Sequence, residues 1–105
     1  MNVYITPARL SGRITPPPSK SQAHRMIIAA ALSDGVCRLK NVALSQDIEA
    51  TLRCMRTLDA DASADGSVIR GAGLVFGQEE PAPEIMDCGE SGSTLRFLIP
   101  VALAL

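Results

Sequence analysis

Three consecutive prolines, Pro16 to Pro18, divide this chain before anything else in it can be placed. Each lacks a backbone N–H and fixes its own φ, so the run suits neither a helix interior nor a central strand and favours a stiff, extended approach. The stretch from Ser19 onward reads as a fresh helix start. Either Ser19 or Ser21 can cap the first free N–H groups. Ala23, Met26, Ile27, Ala30 and Ala31 then recur at i, i+3, i+4, i+7 and i+8, one apolar stripe for a core, and Asp34-Gly35 ends the helix. Lys20 falls in its first turn, where the helix dipole disfavours a cation by about 0.3 to 1 kcal/mol unless a negative group answers it. At about 100° per residue, Lys20, Ser21, His24 and Arg25 share one side, opposite the stripe. Two cations, a hydroxyl and free N–H groups there make a seat for phosphate or carboxylate. The competing reading is a solvated helix face, with His24 a surface residue beside the site.

The rest of the chain alternates between strand and helix. Asn2 to Ile5 and Gly12 to Thr15 read as short strands around a turn. Val36 to Val42 reads as a strand, with Cys37 and Leu39 on one face and Arg38 and Lys40 on the other. A second helix is expected from about Gln46 to Leu58, capped by Ser45, with Asp47 and Glu49 suiting its positive end and Ile48, Leu52, Met55 and Leu58 facing inward. Strand-like pieces around Asp65-Gly66 form a hairpin. Gly12 to Gly71 thus gives a βαβαββ unit. After the loop GQEEPAPE, a strand-like EIMDCG and a helix from about Ser93 begin the pattern again. That helix has no C-terminal capping signal before VALAL, which predicts a piece of a longer chain.

With 105 residues, 47% hydrophobic and 20% charged, the chain has the composition of one small folded domain or part of a larger one. A formal net charge of -1 and 3% aromatics argue against nucleic-acid and membrane-surface roles. Cys37, Cys54 and Cys88 are odd in number and without a CxxC pair, so free buried thiols in a reducing cytoplasm fit better than zinc or disulfides. MNVYITPARLSG lacks a signal-peptide layout, and FLIPVALAL is too short to span a bilayer.

CGESGSTLR, Cys88 to Arg96, repeats the logic of the first site. Gly89 and Gly92 permit tight turns and close approach of a ligand to the backbone. Ser91, Ser93 and Thr94 offer caps and hydroxyls, and Arg96 places a cation at a helix start. It is no Walker loop, and a plain turn with Arg96 paired to Glu90 or Asp87 is the competing reading. Two such helix entrances in one chain suggest a site gripping two anionic groups.

PPSKSQAHRMIIAAAL together with DCGESGSTLRFLIP resembles the N-terminal part of the 5-enolpyruvylshikimate-3-phosphate synthases, and the likeness runs over essentially the whole chain. It implies an α/β fold of βαβαββ repeat units, helices inside and sheets outside, in two lobes with the active site between them. This chain would hold about one and a half units, about the first quarter of a member's length. Residues 1–18 would be strands and a proline hinge packing with the second lobe, and residues 19–105 the first part of the N-terminal lobe.

The resemblance further implies transfer of enolpyruvyl from phosphoenolpyruvate to shikimate 3-phosphate in a cytoplasmic, monomeric enzyme without metal or cofactor. Lys20 would touch both substrates and serve as the catalytic residue. Ser21 and Arg25 would hold shikimate 3-phosphate, the backbone at Gly92 would meet phosphoenolpyruvate, and Asp47, Glu90, Ser93 and Arg96 would support the site. Glyphosate is the implied inhibitor. Glu90 stands where other members carry asparagine, bringing a carboxylate near an anion site, and turning to pair with Arg96 would remove it. Residues implied for proton transfer fall outside this sequence, so the chain alone is expected to be inactive, and its apolar C-terminal run to self-associate. The alternatives are a UDP-N-acetylglucosamine enolpyruvyl transferase, disfavoured by Arg25, and a non-catalytic phosphate-binding module.

Overall fold

The computed structural model describes residues 1–73 and 85–105. Its elements in chain order are α1 (Lys20–Leu32), β1 (Val36–Arg38), α2 (Gln46–Thr57), β2 (Asp61–Ala62), β3 (Val68–Arg70) and α3 (Gly92–Ala104). Each helix begins on a serine whose hydroxyl accepts an orphan N–H three residues on: Ser19 from Gln22, Ser45 from Ile48 and Ser91 from Thr94. Ser19, not Ser21, is therefore the first cap. Pro100 lies inside α3.

The strands form one antiparallel sheet of order β1-β3-β2, with Cys37 opposite Ile69 and Ala62 opposite Ile69 on the other side. The Val36–Val42 strand is shorter than its pattern predicts, ending at Arg38, although Leu39 still donates to the Ser67 carbonyl at 2.8 Å. Asp65-Gly66 makes the β2–β3 turn, with Gly66 at φ 71 and both serine hydroxyls of Ser63 and Ser67 donating to Asp65 Oδ1. The Ser67 N–H above all, with the Ser67 and Ser63 hydroxyls, pulls the Asp65 carboxyl down to about 2.

Past β3 the backbone runs onto the C-terminal end of α1, where the Ala72 N–H donates to the Ala31 carbonyl and the Gly73 N–H to the Ser33 carbonyl, at 3.0 and 2.9 Å. This satisfies acceptors that a helix end leaves open. The approach is so close that a Cβ on Gly71 would stand 1.8 Å from the Ser33 oxygen. Arg56, in the last turn of α2, similarly ties that helix to the hairpin by donating to the Ala62 and Ser63 carbonyls. The core between helices and sheet is built on Ile27, Ile48, Leu52, Met55, Ile69 and Leu98.

Three expectations are corrected. Asn2 to Ile5 and Gly12 to Thr15 form no strands, and residues 1–17 are exposed throughout, since an isolated pair of short strands has no apolar face to cover it. The βαβαββ unit therefore lacks its first strand. Ile85 to Cys88 is not a strand either, while Glu84 and the GQEEPAPE loop lie outside the described residues. On α1 the buried arc differs from the predicted stripe: Met26 is exposed and His24 is fully buried, because α1 packs against both α2 and α3.

Candidate functional site

The polar side of α1 keeps Lys20, Ser21 and Arg25 exposed. The Lys20 ammonium forms an ion pair with the Asp47 carboxylate in the first turn of α2. Asp47, a support by the resemblance, thus stands directly against the lysine. The Arg25 guanidinium donates one turn back to the Ser21 carbonyl at 3.1 Å and to the Ser21 hydroxyl. Its other contact comes from α3, where it lies 4.9 Å from the centroid of the Phe97 ring, within cation–π range. Sequence reading had no signal for Phe97 beyond an apolar position in a helix.

His24 does not share this exposed face. Its ring is buried beside Phe97, centroids 6.2 Å apart, and Nδ1 meets the Thr51 hydroxyl of α2 at 2.7 Å. Burial is the largest cause holding its pKa below the ordinary histidine value; Asp47 opposes this, while Lys20 and Arg25 add to it.

The start of α3 is built differently from its predicted form. Ser91 and Thr94 are buried while Gly92, Ser93, Glu90 and Arg96 are exposed. Gly92 is the first helical residue, and among the described residues nothing stands within 4 Å of where its Cβ would be. Its backbone is therefore open to a ligand. Among the described residues neither Glu90 nor Asp87 pairs with Arg96. Asp87 instead faces Arg53 at 3.4 Å, and the Gly89 N–H donates to Asp87 Oδ1 at 2.9 Å, closing the turn.

Thr94 joins the two helix starts. Its hydroxyl contacts Ser91 Oγ at 2.6 Å and Thr51 Oγ1 at 2.8 Å, and donates to the backbone carbonyl of Asp47 at 3.3 Å. The residue that holds Lys20 by its carboxylate is thus held by α3 through its main chain. Chemically, the cluster offers fixed cations and open N–H groups at two helix N-termini, which suits oxyanions. A groove of about 430 Å³ between Gln22, Met26, Lys40 and Val42 contains none of Lys20, Ser21, Arg25, Asp47 or Gly92 and is a separate feature.

The thiols also come closer than their spacing suggests. Cys54 and Cys88 have their sulfurs 3.9 Å apart, and burial, with the neighbouring Cys88 second, pushes the Cys54 thiol up to about 12. All three cysteines are free.

The chain is thus a small α/β protein whose paired helix starts carry cations suited to oxyanions. Residues 5–105 match the EPSP synthase (3-phosphoshikimate 1-carboxyvinyltransferase) family, and the chain belongs to it. It is 47% identical over 110 residues to a 3-phosphoshikimate 1-carboxyvinyltransferase of Clostridium novyi (strain NT), an alignment covering 97% of this chain and 25% of the relative. It is 42% identical over 111 residues to the enzyme of that name from Clostridioides difficile (strain 630), covering 98% of this chain and 25% of the relative. A 42% identity over 106 residues to the Clostridium beijerinckii (strain ATCC 51743 / NCIMB 8052) protein of that name covers 96% and 24%. The chain spans about a quarter of the length of these curated relatives. Among the described residues no helix is long and apolar enough to cross a membrane.

Proposed function

We propose that this chain supplies the anion-gripping part of an enolpyruvyl transfer site. In this reading Lys20, Ser21 and Arg25 hold shikimate 3-phosphate, while Lys20 and the open backbone at Gly92 meet the phosphate of phosphoenolpyruvate. Asp47 braces Lys20, and Phe97 steadies Arg25. Ser93 and Arg96, exposed near the start of α3, support the site in this reading. Glu90 is exposed as well, and its carboxylate weakens the grip on an anion at this helix start.

In the reaction the 5-hydroxyl of shikimate 3-phosphate adds to the enol carbon as the methylene is protonated, and the adduct then expels inorganic phosphate. The residues seen here orient the two phosphorylated substrates and stabilise charge on the departing phosphate. Groups that move the proton come from outside this chain, so the purified chain releases no phosphate from the substrate pair. Glyphosate, an anionic mimic, competes at the Lys20 and Gly92 side. The whole protein is a cytoplasmic monomer of βαβαββ repeats, with residues 1–18 packing with the second lobe.

The observation that carries this reading is the linkage of the two helix starts through one residue, with the Asp47 carboxylate on Lys20 and the Asp47 carbonyl on Thr94. Calorimetric titration with shikimate 3-phosphate at low salt tests it, with inorganic phosphate and Lys20→Ala as controls. Binding that exceeds phosphate alone and is lost in Lys20→Ala is expected. The variant should keep its melting temperature within a few degrees, since a partly exposed ion pair contributes about 0 to 1 kcal/mol. Equal heats for shikimate 3-phosphate and phosphate would count against the substrate assignment.

A further inference from the structure

The buried hydroxyls between the three helices can be given a direction from their bonding capacity alone. A threonine hydroxyl has one proton to donate and two lone pairs. Thr94 Oγ1 has three neighbours, and one of them, the Asp47 carbonyl, can only accept. Its single proton therefore points to Asp47, and the hydroxyls of Ser91 and Thr51 both donate to it. Ser91 Oγ is free to accept the Thr94 N–H at 3.2 Å, as an N-cap should. Thr51, having donated to Thr94, can only accept from His24. Every contact is then made at once only if His24 carries its proton on Nδ1. In the other tautomer Thr51 would have to donate to Nδ1, Thr94 would turn to Thr51, and the Asp47 carbonyl would keep its bond within α2 but lose the one that ties it to α3.

The chain of bonds closes on itself. His24 and Lys20 are four residues apart on α1, Thr51 and Asp47 four apart on α2, and residues so spaced lie one above the other on a helix face. His24 bonds Thr51, Lys20 pairs with Asp47, and Thr94 of α3 clasps both α2 residues. We propose that His24 is a positioning residue, held as the neutral Nδ1–H tautomer, and that the one-way relay from it through Thr51 and Thr94 to the Asp47 carbonyl fixes Lys20 relative to the Gly92 end of α3. The proposal rests on the reading of Lys20 and Gly92 as the anion-gripping pair. His24 touches no substrate and acts through the helices that it joins.

The surroundings keep the ring neutral. Lys20 and Arg25 of α1 disfavour a second positive charge, Asp47 of α2 favours one, and α3 presents the Phe97 ring. Burial tips the balance against protonation. Nε2 is buried with no hydrogen-bond partner among the described residues, so a proton there would create a desolvated donor with nothing to meet it.

His24 is the only histidine in the chain, so a long-range ¹H–¹⁵N correlation spectrum of the labelled chain reports one imidazole without assignment. The expected pattern is a protonated Nδ1 and a bare Nε2. Thr51→Val should move the tautomer balance toward Nε2–H and displace the amide resonances of Ser21 and Gly92, while Thr51→Ser, which keeps the hydroxyl, should restore both. An Nε2–H pattern in the native chain overturns the proposal, as does a Thr51→Val spectrum with the Nδ1–H pattern and those two amides unmoved. Should Thr51→Val fail to fold, the native chain and Thr51→Ser still decide, because both must show Nδ1–H. Titration of the native chain with phosphoenolpyruvate separates the two readings. Absence of binding would count against the anion site, and the tautomer and amide shifts would judge the relay independently.

Discussion

At the scale of single residues, two buried groups set expectations that exposure alone would not. Cys54 is fully buried and its thiol is pushed up to about 12, so little thiolate is present at neutral pH. Alkylation by iodoacetamide at mildly alkaline pH should modify Cys37 and Cys88, both half-buried, well before Cys54. Peptide mapping by mass spectrometry reads the order, and equal rates would show that Cys54 is reached without unfolding. His24 makes the second expectation. Its folded pKa lies below its unfolded value, so between the two the unfolded chain binds the extra proton. The stability it contributes is present above about pH 6.5, the ordinary histidine value, and is lost as pH falls through the folded pKa. Melting temperature measured from pH 7 downward should fall in the native chain, and His24→Asn should flatten that part of the profile.

At the scale of elements, the joint between β3 and α1 carries more than its length suggests. Gly71 passes so near the end of α1 that an added Cβ meets backbone atoms, the Ser33 oxygen at 1.8 Å and the Ala30 oxygen at 2.7 Å. No side-chain rotation can relieve such a contact. The strand end must instead move, and with it the Ala72 and Gly73 N–H groups that close the helix. Gly71→Ala should therefore cost about 3 kcal/mol or more, seen as a lower urea midpoint. A midpoint unchanged from the native chain would mean that this joint is not held as described. The helices themselves were legible locally. Ser45 caps as its sequence predicts, while Ser19 and Ser91 are each one of several caps that the sequence offers, and the structure selects between them. The strands were less so. The N-terminal pieces and EIMDCG have strand-like composition, yet a strand exists only when another edge pairs with it.

At the scale of the whole molecule, the radius of gyration of 17.6 Å exceeds the roughly 13 Å of a compact chain of this length. Residues 1–17, exposed throughout and in no helix or strand, are in keeping with that excess. On α3, Leu95, Ile99 and Leu103 are four residues apart and exposed, an apolar row along one face. Sedimentation velocity over a range of concentrations should show the isolated chain self-associating through this row. A single monomeric boundary throughout would show that the row is tolerated in water.

The candidate site divides in the same way. That Lys20, Ser21 and Arg25 stand at one helix start, Asp47 at another and Gly92 at a third was legible because charge and capping are local properties; their grouping as one site was implied by the family resemblance. The polar side of α1 was misjudged at His24 for a physical reason. Periodicity tells which residues of one helix share a face, but not how many other elements cover that helix. α1 meets both α2 and α3, so its buried arc takes in a histidine whose polarity is satisfied only because Thr51 arrives opposite it. Local sequence settles where the helices begin, which cations stand at their positive ends and most of the core, though on α1 it put Met26 inside and left His24 out. Only the tertiary structure decided that Thr94 ties the two helix starts through Asp47, that Phe97 steadies Arg25 and that Cys54 lies against Cys88, because each contact joins residues far apart in the chain whose meeting depends on how whole elements pack.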